Sequence, residues 1–443
     1  MIIEQFLQSL LRGFQDQDYE IIHDHLSFFD QESPVNILIS GSSLEEKWDM
    51  IIAKECAQKS SSIQNTFDCT YEVDDLLTTF CKAFIDTAKL YYRENYKNAF
   101  ESYIECFKDF ARLYKVLSRQ YTDDWLYKIF NVFCFNLRAL ALETNENERR
   151  KGENKEYLEQ ALGPITSSKQ EMNRLKTEET LDHKIKLLCL LEVHLDWINF
   201  KLRNYKAVKE GLRSLIELIR SNNFNLSFLS TSTHIQLCFN WGKIALLTGR
   251  IPIAVEKLEE ALSLCPKEYD KNIKLILRYL SVAKLLNGQK IKQKIMEKYN
   301  LATYYQLEQK IAKGDLRGYY WEMHFRLLRW MKSGLVLLFD NFRFTIYRNI
   351  LRKWQKVTGL NKISFNEVKK IFELNKNATW YPEYSEDEVQ AILSNMIVNG
   401  YIRGSISINE QFCMLSLKNP FPKLREVNIE IQNVIQKNLN EFL

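Results

Sequence analysis

Apolar residues recur three and four positions apart along most of this chain, the spacing that gives an α-helix one buried face. The pattern is clear over residues 75–92 and 96–119, where many apolar positions are aromatic. It returns as paired segments at 181–219 and at 234–264. Aromatic stripes of this kind are typical of the seam between packed helices. The pattern therefore predicts an all-α protein built from stacked helix pairs.

The second of these paired segments fits the tetratricopeptide (TPR) pattern, a repeat of about 34 residues with small residues where its two helices cross. Gly242 takes the small position of the first helix, Ala254, Leu258 and Ala261 take the small and bulky positions of the second, and Pro266 is the closing proline. One such repeat among degenerate neighbours predicts a helical solenoid, in which each pair buries its core against the next. We expect a right-handed superhelical TPR-like solenoid with long surfaces for partners.

Near the end of the chain the pattern changes. Two S-x-x-E capping boxes, at 364–367 and 385–388, each predict a helix start, because the serine oxygen accepts an N-terminal amide and the glutamate reaches back. Gly400 is placed to end the second helix in a left-handed conformation. Alternating residues then predict a two-stranded ribbon with a turn near Asn409. These elements predict a winged helix with a small β-wing, a fold used for nucleic-acid docking and for protein assembly alike.

These patterns divide the chain into five segments. They are an N-terminal helical region at 1–142, a charged loop at 143–156, TPR-like repeats at 157–342, the winged helix at 343–424 and a C-terminal helical tail at 425–443. The loop is predicted because TNENERRKGENKE has dense mixed charge and nothing to bury. No proline occurs between Pro266 and Pro382. We therefore expect the repeats to run into the winged helix as one rigid body, without a flexible linker.

Composition narrows the class of protein. The chain is 46% hydrophobic with only 7 prolines in 443 residues, which favours a folded, helix-rich protein. Its net charge of +5 permits an anionic partner without demanding one. The 9 cysteines contain no C-x-x-C pair, so we expect buried free thiols in a reducing compartment. With no secretory signal and no apolar run of about 20 residues, we expect an intracellular protein that makes no membrane contact.

Positive charge is concentrated at the predicted winged helix. Residues 343–376 hold nine basic side chains and two acidic ones. At about 100° per residue, Arg348, Arg352 and Lys356 form a stripe opposite the apolar side of one helix. Such a stripe can bind phosphates without reading sequence, although a solvated face or a surface for an acidic protein would look the same. The candidate nucleic-acid-binding residues are Arg343, Arg348, Arg352, Lys353, Lys356, Lys362, Lys369, Lys370 and Arg403.

The helix that would enter a major groove, residues 386–398, has a different character. Its outward face is acidic and polar and includes Asp387 and Glu388. Phosphates would repel this face, which argues against base reading in the helix-turn-helix manner. We expect backbone contacts that are weak and steeply salt-dependent.

Helical repeats that run into a winged helix resemble the PCI module, named for the proteasome lid, the signalosome and a translation initiation factor. The residues that carry the resemblance are Lys313-Gly-Asp-Leu316, the run 344–353, the helix 387–396, the wing entry 400–406 and the tail Asn419-Pro-Phe-Pro422. Within that family, the triplet Tyr347-Arg-Asn349, the helix with Glu388-Val-Gln390 and the tail Asn419-Pro-Phe-Pro422 are similar to the PCI subunit of the nuclear-pore-associated transcription-and-export complex and its signalosome-associated paralogue. The similarity is strongest over residues 231–424.

This resemblance implies a non-catalytic scaffold in a nuclear mRNA export complex. It implies two protein partners, a larger PCI-like scaffold and a small, acidic, disordered proteasome-lid subunit, and a winged helix that offers a basic surface to RNA or DNA non-specifically. It also implies a nuclear location, at the nuclear pore, and a cytoplasmic one. The alternative is a signalosome- or splicing-associated PCI scaffold without direct nucleic-acid binding.

Candidate catalytic and metal-binding residues are few. His23 and His25 resemble the metal-binding histidines of isopeptidases that accompany PCI proteins, but no third ligand follows at a recognisable spacing. Side chains at i and i+2 of a helix also diverge. No H-E-x-x-H motif, glycine-rich phosphate loop or nucleophile motif is present. We predict no catalytic residue, no metal and no cofactor, with a metal-dependent isopeptidase as the remote alternative.

Overall fold

The computed structural model describes ten stretches of the chain, which are residues 2–27, 29, 33–41, 48–66, 73–117, 124–151, 156–174, 181–332, 334–373 and 384–427. They form two compact units, one within residues 1–233 and the other within 234–443. None of the described helices has the length and apolar character needed to span a membrane. The 8 described cysteines are free and buried, as predicted, and Cys69 lies outside the described residues.

The first unit is helical throughout its described part. Its helices are α1 (Ile2–Asp16), α2 (Tyr19–Leu26), α3 (Pro34–Gly41), α4 (Trp48–Thr66), α5 (Val73–Tyr92), α6 (Tyr96–Leu117), α7 (Asp124–Arg150), α8 (Tyr157–Arg174), α9 (Leu181–Lys201) and α10 (Tyr205–Ser221). Successive helices pack on each other, most extensively α5 on α6. Phe110 stacks on Phe133 with ring centroids 4.0 Å apart, so the aromatic stripes are core, as predicted.

The predicted charged loop is wrong in its first half, because α7 continues to Arg150. Thr144 and Asn145 are buried on this helix. Asn145 Oδ1 accepts from the backbone N–H of Tyr157 at 2.7 Å and so caps the start of α8. These polar side chains join two helices instead of facing water, which charge density alone does not indicate. Residues 152–155 lie outside the described residues.

The second unit contains the remaining repeats and the winged helix. Its elements are α11 (Thr231–Leu247, which begins in the first unit), α12 (Ile251–Leu264), α13 (Asp270–Leu286), α14 (Gln293–Lys298), α15 (Ala302–Lys313), α16 (Leu316–Phe325), α17 (Leu327–Lys332), α18 (Val336–Thr358), β1 (Lys362–Ser364), α19 (Phe365–Glu373), α20 (Glu386–Val398), β2 (Gly404–Ser407) and β3 (Phe412–Leu415). The architecture is therefore all-α helical repeats followed by a winged helix, as predicted.

The helix crossing assigned to Gly242 is present. A Cβ atom at this position would lie 2.6 Å from Leu258 Cγ, so only glycine lets the two helices approach this closely. Ala254 and Ala261 are both buried on the second helix. The alignment of this segment with the TPR pattern is confirmed.

Both capping boxes of the winged helix are confirmed. Ser385 Oγ accepts from the Glu388 backbone N–H at 3.1 Å, and the Glu388 carboxylate accepts from the Ser385 N–H at 2.9 Å. Ser364 and Glu367 exchange the same two bonds at the start of α19. Gly400 follows α20 with φ +78°, the left-handed conformation expected there.

The wing is a three-stranded antiparallel sheet in the order β1-β3-β2, where the sequence predicted two strands. The missing strand, β1, is 3 residues long and runs directly into α19, so it is too short to show alternation. A Cβ at Gly404 would lie 2.3 Å from the Met414 carbonyl oxygen, so glycine is required where β2 meets β3.

Helix α18 joins the repeats to the winged helix without a break. In its first half, Phe339 packs on Trp330 of α17 with ring centroids 4.7 Å apart. In its second half, Tyr347 packs on Phe372 of α19 at 4.5 Å. The boundary placed between residues 342 and 343 thus falls inside one continuous helix. Most of the helical tail predicted for residues 425–443 lies outside the described residues.

Candidate nucleic-acid interface

Four of the nine predicted residues can reach solvent without a competing partner. Arg352 and Lys356 are exposed one turn apart on α18; on α19, Lys370 is exposed and Lys369 is half-buried. No hydrogen bond or ion pair joins these side chains to other residues of the described stretches. We call these four residues the exposed basic set. Cationic side chains of this kind are suited to backbone phosphates.

Two predicted arginines are engaged with acidic neighbours. Arg343 Nε lies 3.6 Å from an Asp340 carboxylate oxygen. Burial opposes the charge on Arg343, but Asp340 and Tyr320 outweigh burial and raise the pKa of this guanidinium. Arg403 Nη2 lies 3.9 Å from Glu426 Oε2. An exposed pair at that distance is weak, so Arg403 can exchange Glu426 for a phosphate at little cost.

Two predicted lysines are held by local contacts. Lys353 Nζ donates to the Lys313 carbonyl at 2.5 Å, which draws it towards the end of α15. Lys362 Nζ lies 3.8 Å from the centre of the Phe412 ring, a cation–π contact within the wing. Both side chains are largely exposed and keep part of their charge available to a ligand.

Arg348 does not belong to the surface stripe, and the prediction for it is wrong. The residue is only 5% exposed. Its Nη2 donates to the carbonyls of Pro422 at 2.6 Å and Phe421 at 3.3 Å. Burial, followed by the positive charge of Arg352, lowers the pKa of Arg348 to about 10. Helical phase gives the side of a helix on which a residue lies, but not which distant segment covers that side; here the segment Asn419-Pro-Phe-Pro422, called the tail below, covers it.

The other members of the Tyr347-Arg348-Asn349 triplet are also structural. The hydroxyl of Tyr347 lies 2.9 Å from that of Tyr384, which immediately precedes the cap of α20. Asn349 Nδ2 donates to the Ile311 carbonyl in α15 at 2.8 Å. The triplet therefore ties α18 to the winged helix, the tail and the repeats.

The Lys313 to Leu316 motif is a turn between two helices. Gly314 ends α15 with φ +70°. Asp315 Oδ1 accepts from the Gly318 backbone N–H at 2.8 Å and caps α16. Most side chains of these motifs make contacts that hold helices and turns together.

Helix α20 has the outward face that the sequence predicted. Asp387, Glu388 and Asn395 are exposed, and the helix contains no basic residue between 386 and 398. Insertion of this face into a major groove would set carboxylates against phosphates. The geometry therefore favours contact through α18 and α19.

The two N-terminal histidines lie in different environments. His25 is buried, and its Nδ1–H donates to the Ile21 carbonyl at 2.7 Å. Burial also lowers the pKa of His25. His23 is half-buried, with Nδ1 3.3 Å from Asp24. Neither histidine joins a group of three potential metal ligands in the described part of the chain.

One group of potential metal ligands does occur, made of His234, Cys238 and Glu260. Their ligand atoms lie within 4.8 Å of one another. Glu260, however, accepts from Lys257 Nζ at 2.8 Å and from His234 Nε2 at 3.1 Å. The lysine ammonium occupies the place of a cation beside this carboxylate. The arrangement is an ion pair within α12, between Lys257 and Glu260, and a hydrogen bond from His234 that joins α11 to this carboxylate.

An apolar surface on α16 and α17 was missed by the sequence prediction. Trp321, Phe325, Leu328 and Met331 are 54%, 73%, 75% and 54% exposed. Trp321 and Phe325 stack with ring centroids 5.6 Å apart. We call these four residues the α16–α17 apolar patch. The sequence did contain an indication of this surface. Large apolar residues occur on all sides of α16 and α17, and a single buried face cannot cover all of them.

Helical repeats that continue through one long helix into a three-stranded wing define a class of helical-repeat proteins that end in a winged helix. Residues 289–416 match the model of the PCI domain. The chain therefore contains a PCI domain. Proteins with this domain are generally non-catalytic scaffolds and form multi-subunit complexes with other scaffold subunits.

Several curated proteins are similar to this chain. It is 22% identical to PCI domain-containing protein 2 of Danio rerio over 428 residues, which cover 96% of this chain and 99% of that protein. It is 26% identical to the PCI domain-containing protein 2 homolog of Dictyostelium discoideum over 338 residues, 74% of this chain and 75% of the other. It is 30% identical to the protein CSN12 homolog of Schizosaccharomyces pombe over 240 residues, 54% and 53% of the two chains.

Proposed function

We propose that this chain is a non-catalytic scaffold subunit of a nuclear mRNA export complex, where it pairs with a larger PCI-like scaffold. The observation that carries the assembly role is the α16–α17 apolar patch. Four large apolar side chains in succession along two helices, each at least half exposed, form a surface that a partner would cover. Burying each of them would contribute about 1.5–3 kcal/mol.

The same chain presents RNA or DNA with the exposed basic set. This surface is smaller than the sequence predicted, because Arg348 is withdrawn from it. Contacts would be made to phosphates, without base reading, and would weaken steeply as salt rises. A small, acidic, disordered proteasome-lid subunit completes the proposed assembly. The proposed location of this chain is nuclear, at the nuclear pore, with a cytoplasmic pool.

The nucleic-acid role is tested by reversing charge within the exposed basic set. We expect Arg352→Glu/Lys356→Glu/Lys370→Glu to weaken RNA binding by the partnered complex by about tenfold or more at low salt, and to flatten its salt dependence. Binding is measured by fluorescence anisotropy of a labelled oligonucleotide at several salt concentrations. The matched control is Lys206→Glu/Lys209→Glu/Arg220→Glu on α10, which makes the same change in net charge. Equal losses in both variants, or no loss in either, would contradict the role.

A second function is favoured by the 30% identity to the protein CSN12 homolog of Schizosaccharomyces pombe. It is a signalosome- or splicing-associated PCI scaffold that makes no direct contact with nucleic acid. Mass spectrometry of the complex purified from its native source separates the two functions. Recovery of a pore-tethered scaffold supports mRNA export, whereas recovery of signalosome or splicing proteins supports the alternative.

A further inference from the structure

A cavity of about 360 Å³ that opens to solvent lies at the surface of the second unit, beside α18. Three separate segments line it, namely the turn after α13, the middle of α18 and the C-terminal segment. The lining residues are Asn287, Gly288, Gln289, Arg348, Arg352, Lys423, Leu424 and Arg425. Four of these eight residues are cations, and none is acidic.

Specific contacts bring these segments together. Gly288 has φ +74°, and a Cβ there would lie 2.9 Å from Leu424 Cβ, so glycine allows the turn and the C-terminal segment to meet. Arg348 holds the carbonyls of Phe421 and Pro422, directly before Lys423. The cavity is therefore formed by the same contacts that fasten the tail to α18.

The positive charge around this cavity lacks a counter-charge from the described residues. Arg348 is almost fully buried, and its Nε–H has no acceptor among the described residues. No carboxylate of the described stretches lies within ion-pair distance of Arg348, Arg352, Lys423 or Arg425. A buried cation without a counter-ion is costly, and a bound anion would remove that cost. Asn287 Oδ1 also lacks a partner, and a half-turn of its amide would present a donor to an anion.

We infer that this cavity binds a small anion that carries two or more phosphate groups. Guanidinium groups match phosphate oxygens in pairs, and two or more phosphates are needed to balance four cations. The volume lies near the lower end of the ~300–1,000 Å³ usual for small-molecule sites. A nucleic-acid backbone instead follows an open groove or surface, such as that formed by Lys356, Lys369 and Lys370 outside the cavity. The inference does not depend on the proposed function.

The test is calorimetric titration of the full chain with inorganic tripolyphosphate at physiological salt. We expect one saturable site, with inorganic monophosphate binding at least tenfold more weakly. Lys423→Ala/Arg425→Ala removes two cations of the cavity and should weaken binding by about tenfold or more, since the loss of even one charge-assisted bond costs about a factor of ten. Lys356→Ala/Lys370→Ala removes two exposed cations outside the cavity and should change affinity less than threefold. Arg348 is left intact because it fastens the tail.

Three results would overturn the inference. One is the absence of saturable binding at millimolar tripolyphosphate. Another is an equal loss in the two double variants, which would show that binding follows general charge and not the cavity. The last is a Lys423→Ala/Arg425→Ala variant that loses oligonucleotide binding but keeps tripolyphosphate affinity, which would make these residues a nucleic-acid contact.

Discussion

Arg348 and Arg352 are one helical turn apart on α18 and have opposite environments. Arg348 is covered by the tail and bonded to two of its carbonyls, whereas Arg352 is exposed. The sequence analysis predicted that both belong to one surface stripe, because helical phase places them on the same side of α18. The burial of Arg348 depends on contacts with Phe421 and Pro422, which lie more than seventy positions further along the chain. A pattern of neighbouring residues cannot reveal such contacts.

Replacing Arg348 should therefore destabilise the second unit. Arg348→Met removes bonds from a charged donor to the Phe421 and Pro422 carbonyls, and we expect a loss of about 2 kcal/mol in the free energy of unfolding. Arg352→Met, one turn away and exposed, should change it by less than about 0.5 kcal/mol. Denaturant unfolding followed by circular dichroism gives the comparison. Similar midpoints for the two variants would show that the tail is not fastened by Arg348.

His194 should make the first unit sensitive to acid. Burial, aided by the positive charge of Arg138, lowers the pKa of His194 well below 6.5, and its Nε2 lies 2.8 Å from Asn131 Oδ1. Below pH 6.5 the unfolded chain binds a proton at this histidine and the folded chain does not. Stability is therefore lost as pH falls, by up to about 1.4 kcal/mol per pH unit.

The measurement for His194 is the free energy of unfolding between pH 7 and pH 5. His194→Gln, which can still donate to Asn131, should flatten the decline over this range. The control is His23→Gln, a half-buried histidine of the same unit. An unchanged slope in His194→Gln would mean that other groups cause the acid sensitivity.

At the scale of single elements, most predictions of helix starts, helix ends and helix crossings were correct, because they depend on residues close together in the sequence. The capping boxes of α19 and α20, the left-handed Gly400 and the crossing at Gly242 each depend on residues close in sequence. Strand β1 was missed because its 3 residues form a strand only through pairing with β3. The end of α7 was misjudged because its polar residues bond to α8.

The buried stripe of α20 predicts a strong effect of a single charge. Leu393 is fully buried, so Leu393→Asp should leave an unpaired carboxylate in the core of the winged helix and cost several kcal/mol. Ala391→Asp, two residues away and exposed on the same helix, should change stability by less than about 1 kcal/mol. Thermal melts followed by circular dichroism distinguish them. A normal melting curve for Leu393→Asp would mean that the helix faces the other way.

At the scale of the whole molecule, the sequence was sufficient for the fold class but not for its two most informative surfaces. Repeats and a winged helix follow from periodicity and caps. The α16–α17 apolar patch and the cavity beside α18 arise from what the rest of the fold leaves uncovered or brings together. Lys423, Arg425 and the turn after α13 gave no motif, because they become one site only where three distant segments meet.

The apolar patch predicts how the chain behaves without its partners. Expressed alone, the protein should self-associate and be poorly soluble, because large side chains remain exposed to water. Phe325→Ser/Leu328→Ser should increase the soluble monomer in size-exclusion chromatography and at the same time abolish co-purification of the scaffold partner. Val398→Ser/Leu417→Ser removes two apolar side chains that are 82% and 86% exposed elsewhere in the second unit, and should keep co-purification. A Phe325→Ser/Leu328→Ser variant that still retains the partner would place the assembly surface away from α16 and α17, since two side chains of this size are enough to disrupt a hydrophobic contact at its centre.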